Sequence, residues 1–480
     1  MLFNSLEFIL FFPIVVAAYF ALKPKFRWIL LLLASYYFYM CWDYRYIVLI
    51  VFSTVVDYFS GIMIHRTDKK KVKTIFLLAS LGTNLGLLFF FKYFNFFGES
   101  LTYVFDKANI FIDVPVYDYL LPVGISFYTF QTLSYTIDIY NGKQKPEYHF
   151  GRFALFVSFF PQLVAGPIER SVNLLPQFRQ DFKFEYERVR NGIFLMTWGF
   201  FKKVVIADRL AEYVNLVYNN PGDFEGLQNI IATLFFSFQI YCDFSGYSDI
   251  AIGAAMVMGY SLMTNFRRPY FAASIREFWG RWHISLSTWF RDYVYIPLGG
   301  NRVVKWRWYY NLFITFLVSG LWHGAEWTFV IWGALHGFYL IFAIWTEKLR
   351  EKFNTSIGLS KFPGMFKFFQ ILVTFVLVYF SWIFFRANNT GDALQIIGKT
   401  FSFSDGLNLN LFTFNIDFYI AFISIGLLLL IEFFEEYAQL SVRMMKNLPR
   451  AAKWALMIVV IFIIFILGVW DEADFLYFQF

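Results

Sequence analysis

Charge is scarce in this chain: 16% of its 480 residues are Asp, Glu, Lys or Arg, against 59% hydrophobic and 24% aromatic. So little polar surface cannot coat a water-soluble globule, and lipid is the expected solvent. Cysteine is scarcer still. Cys41 and Cys242 are the only two, each among apolar or aromatic neighbours, so a disulfide framework and a zinc spacing are both excluded and buried thiols are expected. The sequence has no Gly-Xaa-Ser-Xaa-Gly elbow, Walker loop, Rossmann glycine run or His-Glu-Xaa-Xaa-His motif, which leaves a hydrolase triad, an ATPase and a metalloprotease without support.

What is abundant comes in blocks. Apolar stretches of about 15 to 25 residues match the length of helix that crosses a hydrocarbon core. They fall near 7–22, 28–41, 46–64, 74–96, 118–139, 189–206, 227–246, 310–345, 366–386, 416–433 and 453–470. The expected fold is therefore all-α: a polytopic integral membrane protein with about eleven transmembrane helices. Phe153 to Ile168 and Tyr247 to Met263 are short or broken by Gly and Pro, and read as re-entrant segments buried within the protein. Glu7 to Leu22 has no basic residue before it and no small-residue cleavage site after it, and reads as a retained first span. No repeat, low-complexity tract or soluble domain interrupts the chain, so residues 1–480 are expected to form a single membrane domain.

The net charge of +7 is concentrated in alternate loops. Lys23, Lys25 and Arg27 follow the first block, Arg66 and four lysines fall between His65 and Lys73, and Lys143 and Lys145 follow the fifth. These loops are expected on the cytoplasmic side with the N-terminus outward. Such charge addresses anionic membrane lipid and sets orientation; nucleic acid is not an expected partner. The segment from Asn265 to Trp308 is different. It holds eight Lys or Arg against two acids, interleaved with Trp279, Trp282, Trp289, Phe290, Tyr293 and Tyr295. Its plain reading is a pair of interfacial helices at headgroup level; its functional reading is a basic surface for a phosphate-bearing carrier of an acyl donor.

Histidine is limited to positions 65, 149, 283, 323 and 336. His65 and His149 lie in basic loops and read as solvated. His323 lies inside the apolar run Phe313 to Leu340, between Gly320 and Gly324, and an ionisable group at that depth is a functional candidate. A run of about 35 residues is too long for one straight span, so a break is expected near Gly320, placing His323 on a cavity wall. The bland alternative is a histidine bonded to a helix carbonyl or to Ser319. His336 lies about 140° around and about 20 Å along from His323 if the helix continues, so it is expected to pack against Tyr339 or a neighbouring helix. Glu326, three residues after His323, makes a possible ligand pair with it, but no third ligand is evident and no metal site is expected. His283, in Arg281-Trp282-His283, is either an amphipathic-helix residue or a support at the cytoplasmic mouth of a reaction channel.

Carboxylates also occur in or beside apolar runs, at Asp57, Asp138, Asp243 and Asp249. Tyr241 to Asp249 sets two of them six residues apart with Ser245 and Ser248 between, a pattern that suits a polar path, a partner for a histidine, or a capped helix junction.

Five stretches together resemble the membrane-bound O-acyltransferases, in the bacterial branch of the alginate and peptidoglycan O-acetylation proteins. They are Leu121 to Phe130, Phe160 to Ile168, Tyr241 to Gly253, Asn265 to Asn301, and Gly320-Leu321-Trp322-His323-Gly324, in family order, with the start Met1-Leu2-Phe3-Asn4-Ser5. They run through a core of about 118–345; residues 346–480 match less distinctively. The resemblance implies that His323 is the family's essential histidine and His283 its second, cytoplasm-side histidine. It also implies a ring of helices around a thin centre with a tunnel joining the two membrane faces.

The expected chemistry is transfer of an acyl group from a cytosolic thioester to a hydroxyl, with His323 as general base. Trp322 and Gly324 would shape the site and keep water out, and Asp243, Ser245, Asp249, Arg281 and Trp282 would line or support the channel. No bound cofactor is expected; acetyl-CoA or another acyl thioester, including an acyl carrier, is the donor substrate. The resemblance further implies a periplasmic or extracellular acyl-accepting partner protein or polysaccharide, and a bacterial cytoplasmic (inner) membrane location. Two alternatives stand beside this: D-alanyl transfer to teichoic acid, and a transporter or flippase using Asp138, Asp243 and Asp249, against which the absence of inverted repeats counts.

Overall fold

The computed structural model describes residues 1–110, 114–117, 119–402, 416–470 and 475–476. The first residue of the expected span 118–139 and parts of the stretch 346–480 lie outside the described residues. Among the described residues every regular element is a helix. Six helices are long and apolar enough to cross a membrane: Tyr44–Arg66, Lys70–Lys107, Trp327–Trp345, Pro363–Arg386, Ile416–Ala438 and Arg450–Leu467. Each of the other expected blocks also carries helix, as in Leu6–Ala21 and Pro24–Met40. The chain is a multi-pass all-α membrane protein.

By contacts the chain divides into two compact units, Met1–Met196 with Ser248–Met263, and Thr197–Tyr247 with Thr264–Gln479. In the first, local chemistry sets the helix starts. Ser5 caps Leu6–Ala21 by accepting from the Phe8 amide, and Pro24 opens Pro24–Met40, where its missing N–H costs nothing. Helices Ile47–Arg66, Lys70–Leu88 and Ile125–Tyr140 are tied by a buried polar knot. Asp57 accepts from Ser80 Oγ at 2.5 Å and from Asn84 Nδ2 at 3.0 and 2.9 Å, and Thr132 Oγ1 donates to Asn84 Oδ1 at 3.2 Å. A carboxyl inside an apolar bundle needs such donors, which is why Ser, Asn and Thr interrupt the apolar blocks here.

The stretch from Phe153 to Ile168 is buried throughout, in helices of nine and four residues, Phe150–Ser158 and Phe160–Leu163, too short to span. The side-chain amides of Gln131 and Gln162 both donate to the Phe156 carbonyl, at 2.6 and 2.8 Å, and satisfy it where the helix ends. Gly124 precedes helix Ile125–Tyr140 with φ of +77°, and a Cβ there would stand 2.6 Å from the Leu163 carbonyl. Only glycine satisfies both conditions.

Tyr247 to Met263 differs from expectation: helix Leu227–Met258 runs unbroken for 32 residues. Gly253 within it marks close packing, since a Cβ would lie 2.6 Å from the Gly192 carbonyl.

In the second unit the long run 310–345 folds as a hairpin of helices Lys305–His323 and Trp327–Trp345. The break falls at residues 324–326, one turn later than expected. Gly320 stays helical because it is where the arms touch: its Cβ would meet the Phe329 carbonyl at 2.3 Å, and that of Gly333 the Phe316 carbonyl at 2.4 Å. Small residues at such a contact let two backbones approach within a membrane.

Candidate active site

His323 is the last residue of its helix and Gly324 the first of the break. Gly324 is required by space: a Cβ would lie 2.1 Å from the Phe329 ring. The backbone therefore turns immediately after His323, which is 2% exposed, and aromatic rings enclose the imidazole. Centroids of Trp322, Trp332 and Phe385 stand 5.0, 5.0 and 5.4 Å from it. Trp322 and Gly324 thus lie directly beside the imidazole.

The second histidine arrives from another segment. His283 is wholly buried, with its ring centroid 6.3 Å from that of His323 and 6.0 Å from that of Trp322. Its backbone has φ of +42°, a left-handed conformation uncommon outside glycine, at the start of helix Ile284–Phe290. A backbone clasp holds it there: the Ile284 amide donates to the Asn265 carbonyl and the Arg267 amide to the Arg281 carbonyl, both at 2.9 Å. Asn265 also fixes the ring. Its Oδ1 accepts from the Ser285 amide at 3.2 Å and Ser285 Oγ at 2.9 Å, and faces His283 Nδ1 at 3.2 Å. A backbone amide only donates, so the atom facing it is the amide oxygen, and His283 Nδ1 must bring the proton. Burial pushes the His283 imidazole well below the usual histidine pKa, so the ring is neutral and Nε2 carries the lone pair. His283 lies in a short helical segment outside the spans. Phe244 closes one side of it, 4.6 Å away and edge-on.

The supporting residues separate into two groups. Trp282 and Arg281 adjoin His283 and hold its segment. Trp282 is fully buried, stacked on Phe278 at 5.5 Å and packed against Trp382 at 5.1 Å. Arg281 binds Glu277 at 2.6 Å and Glu436 at 2.9 Å, and Glu436 also takes Arg268 at 2.7 Å. Asp243 and Ser245 are engaged elsewhere. Asp243 Oδ1 pairs with Lys203 at 2.6 Å and its Oδ2 accepts from the Leu476 amide at 2.9 Å, while Ser245 accepts from Lys202 at 2.8 Å. Lys203 also binds Asp208 at 2.8 Å. The oxygen that orients a histidine here belongs to Asn265. Asp249 is half-buried in the first unit, and six residues at 100° each turn it about 120° from Asp243 around their shared helix. Asp138 of the first unit is 3.4 Å from Lys143.

His336 has both ring nitrogens engaged. Trp279 Nε1 donates to its Nδ1 at 3.2 Å, and its Nε2 meets Ser381 Oγ at 3.0 Å, which itself donates to the Val378 carbonyl at 2.7 Å. Tyr339 packs 5.7 Å away, as expected. Glu326 is exposed while His323 is buried, and among the described residues no group of three or more His, Cys, Asp or Glu gathers as metal ligands.

A cavity of about 590 Å³ opens in the same unit, lined by Arg276, Arg291, Trp308, Thr315, Ser319 and Arg350 among others. Two of these arginines come from the basic segment; Arg350, on helix Glu347–Ser356, does not. Asn311, Thr315, Ser319 and His323 recur at four-residue intervals and are all buried. The cavity reaches Ser319, one turn or about 6 Å of helix short of His323.

The membrane-bound O-acyltransferase family model matches residues 143–385, a range that includes both histidines, the clasp and the hairpin. The chain belongs to this family. It is 38% identical over 430 residues to the peptidoglycan O-acetyltransferase of Helicobacter pylori, covering 83% of this chain and 79% of that one. It is 40% identical over 411 residues to a protein of Pseudomonas syringae named probable alginate O-acetylase AlgI, covering 84% and 76%. Similarity to the teichoic acid D-alanyltransferase of Bacillus subtilis is 30% over 226 residues, 44% of this chain and 55% of that protein. The membrane-bound O-acyltransferase described here is thus a multi-pass acyltransferase. Asn265, Lys203 and Glu436 were not singled out in the sequence; each has a partner far along the chain, and spacing carries no signal of that kind. Arg350 was missed because it lies outside the basic segment.

Proposed function

We propose that the chain transfers an acetyl group from a cytosolic thioester, acetyl-CoA, to a hydroxyl that serves extracellular polysaccharide or cell-wall modification. The observation that carries this reading is the pair of buried imidazoles, with ring centroids 6.3 Å apart among packed aromatic rings, and a basic cavity ending one turn of helix away from His323. The names of the relatives that match over most of their length supply the acetyl group and the class of acceptor.

In the proposed step His323 takes the proton of the acceptor hydroxyl as its oxygen attacks the thioester carbonyl. The carbon–sulfur bond then breaks, the sulfur leaves as thiolate, and the proton passes from His323 to it, giving the free thiol. His283, with its proton fixed on Nδ1, presents Nε2 toward the same space and accepts a hydrogen bond from the acceptor hydroxyl or the donor arm. Arginines 276, 291 and 350 receive donor phosphates, and the polar edge of helix Lys305–His323 guides the arm. Asn311 to His323 spans about 18 Å, suited to an extended pantetheine arm. Trp322, Trp332 and Phe385 exclude water, the competing acceptor. Residues 1–480 would act as one membrane domain in the bacterial inner membrane, with a passage between the two faces. The acceptor would be a periplasmic or extracellular partner protein or a polysaccharide.

The test is donor choice. Purified protein is incubated with an acceptor and either radiolabelled acetyl-CoA or a D-alanyl carrier protein. Label moving from acetyl-CoA is expected; movement from the D-alanyl carrier alone would replace this reading with D-alanyl transfer.

A further inference from the structure

We infer that the first unit carries a binding site for the phosphate of an anionic lipid headgroup, in a cavity between the end of helix Ile47–Arg66, the start of helix Lys70–Leu88 and the turn after helix Ile125–Tyr140. The cavity measures about 470 Å³. Its basic side chains come from three helix ends: His65, Lys73 eight residues later, and Lys143 with Lys145 about 70 residues further on. None of its lining residues is an acid. Lys143 is offset by Asp138 at 3.4 Å, but neither Lys73 nor Lys145 makes an ion pair among the described residues. Two positive charges thus face one cavity uncompensated.

The place is braced rather than loose, since Tyr140 Oη and Thr74 Oγ1 are hydrogen-bonded at 3.3 Å and fix the turn against the next helix. Two features favour a lipid over a free anion. Ile64 and Ile139 form part of the wall, which suits the first carbons of an acyl chain better than a hydrated phosphate. Two of the framing helices belong to Tyr44–Arg66 and Lys70–Lys107, long and apolar enough to cross a membrane, so their basic ends would meet the headgroups. The ordinary use of such lysines is to set topology while solvated, and that reading forecasts a different result below. This site does not depend on the acyl-transfer mechanism.

The full-length protein, stripped of lipid in detergent, is titrated with phosphatidylglycerol, phosphatidylcholine or inorganic phosphate, and bound lipid is counted by native mass spectrometry. Phosphatidylglycerol should be retained over phosphatidylcholine by about tenfold or more. That preference should vanish in Lys73→Gln/Lys145→Gln, persist in Lys73→Arg/Lys145→Arg, and persist in Lys23→Gln/Lys25→Gln. Lys145 is exposed and Lys73 half-buried, so neutralising them leaves the fold intact, checked by unchanged gel-filtration elution. Equal retention by wild type and Lys73→Gln/Lys145→Gln would overturn the proposal. Equal loss in the Lys23/Lys25 variant would reduce it to diffuse surface charge, and displacement of the lipid by equimolar inorganic phosphate would assign the site to a free anion instead.

Discussion

His323 and His336 sit on opposite arms of one hairpin, both nearly inaccessible, and both pack on Trp332, at 5.0 and 4.9 Å. Their surroundings differ. His336 stands mid-helix, and its nitrogens belong to a chain of hydrogen bonds from Trp279 through Ser381 to a backbone carbonyl. His323 stands where the helix stops, beside a second histidine whose tautomer is set from behind. Burial and aromatic company are common to both, so neither marks a catalyst. Position at a break and next to another imidazole is what separates them; the basic cavity does not, since Trp279 and Leu340 bring its wall as near to His336 as Ser319 brings it to His323.

Substitutions can break or sharpen that contrast. His323→Ala should lower acyl transfer by about 10²- to 10⁴-fold, the usual share of a general base, with unfolding temperature in detergent little changed. His336→Ala should do the reverse: stranding the Trp279 Nε1 donor and removing the proton that Ser381 Oγ accepts costs about 1 to 3 kcal/mol of stability, while transfer per folded molecule stays within a few-fold. Asn265→Leu removes the oxygen that fixes His283; loss of an orienting partner of this kind costs about 10- to 100-fold in rate. Ser319→Phe fills the cavity end nearest His323 and should reduce kcat/KM for the donor by about tenfold, leaving donor-independent folding intact. Arg350→Gln should have the smallest effect, a rise in donor KM of a few-fold that shrinks as salt is raised, because exposed charges are screened.

Much of this contrast could be read before any coordinates. The apolar blocks are helices because length and composition leave a lipid-solvated chain no alternative, and His323 stood out because an ionisable group there is costly. Glycine was the least reliable sign. A break was expected near Gly320, and glycine was expected to interrupt Tyr247 to Met263, yet Gly320 and Gly253 are helical and serve close backbone approach: a Cβ would stand 2.3 Å and 2.6 Å from a carbonyl. A glycine gives the same letter for either use, and which one applies depends on what packs opposite. The acids show a similar limit. Spacing left Asp243 and Ser245 open to a polar path, a histidine partner or a helix cap; their partners are Lys203 and Lys202, contributed by the π-helical turn Phe201–Ala207 about 40 residues earlier. Asn265 was quoted only as the start of a segment. Its role depends on a backbone clasp across 18 residues that no periodicity announces.

The most direct measurement is single-turnover transfer from a labelled acetyl thioester, run side by side on wild type, His323→Ala and His336→Ala and normalised to folded protein. The account predicts that His336→Ala keeps the wild-type rate within a few-fold and that His323→Ala falls to background. A well-folded His323→Ala protein that transfers at the wild-type rate would contradict it.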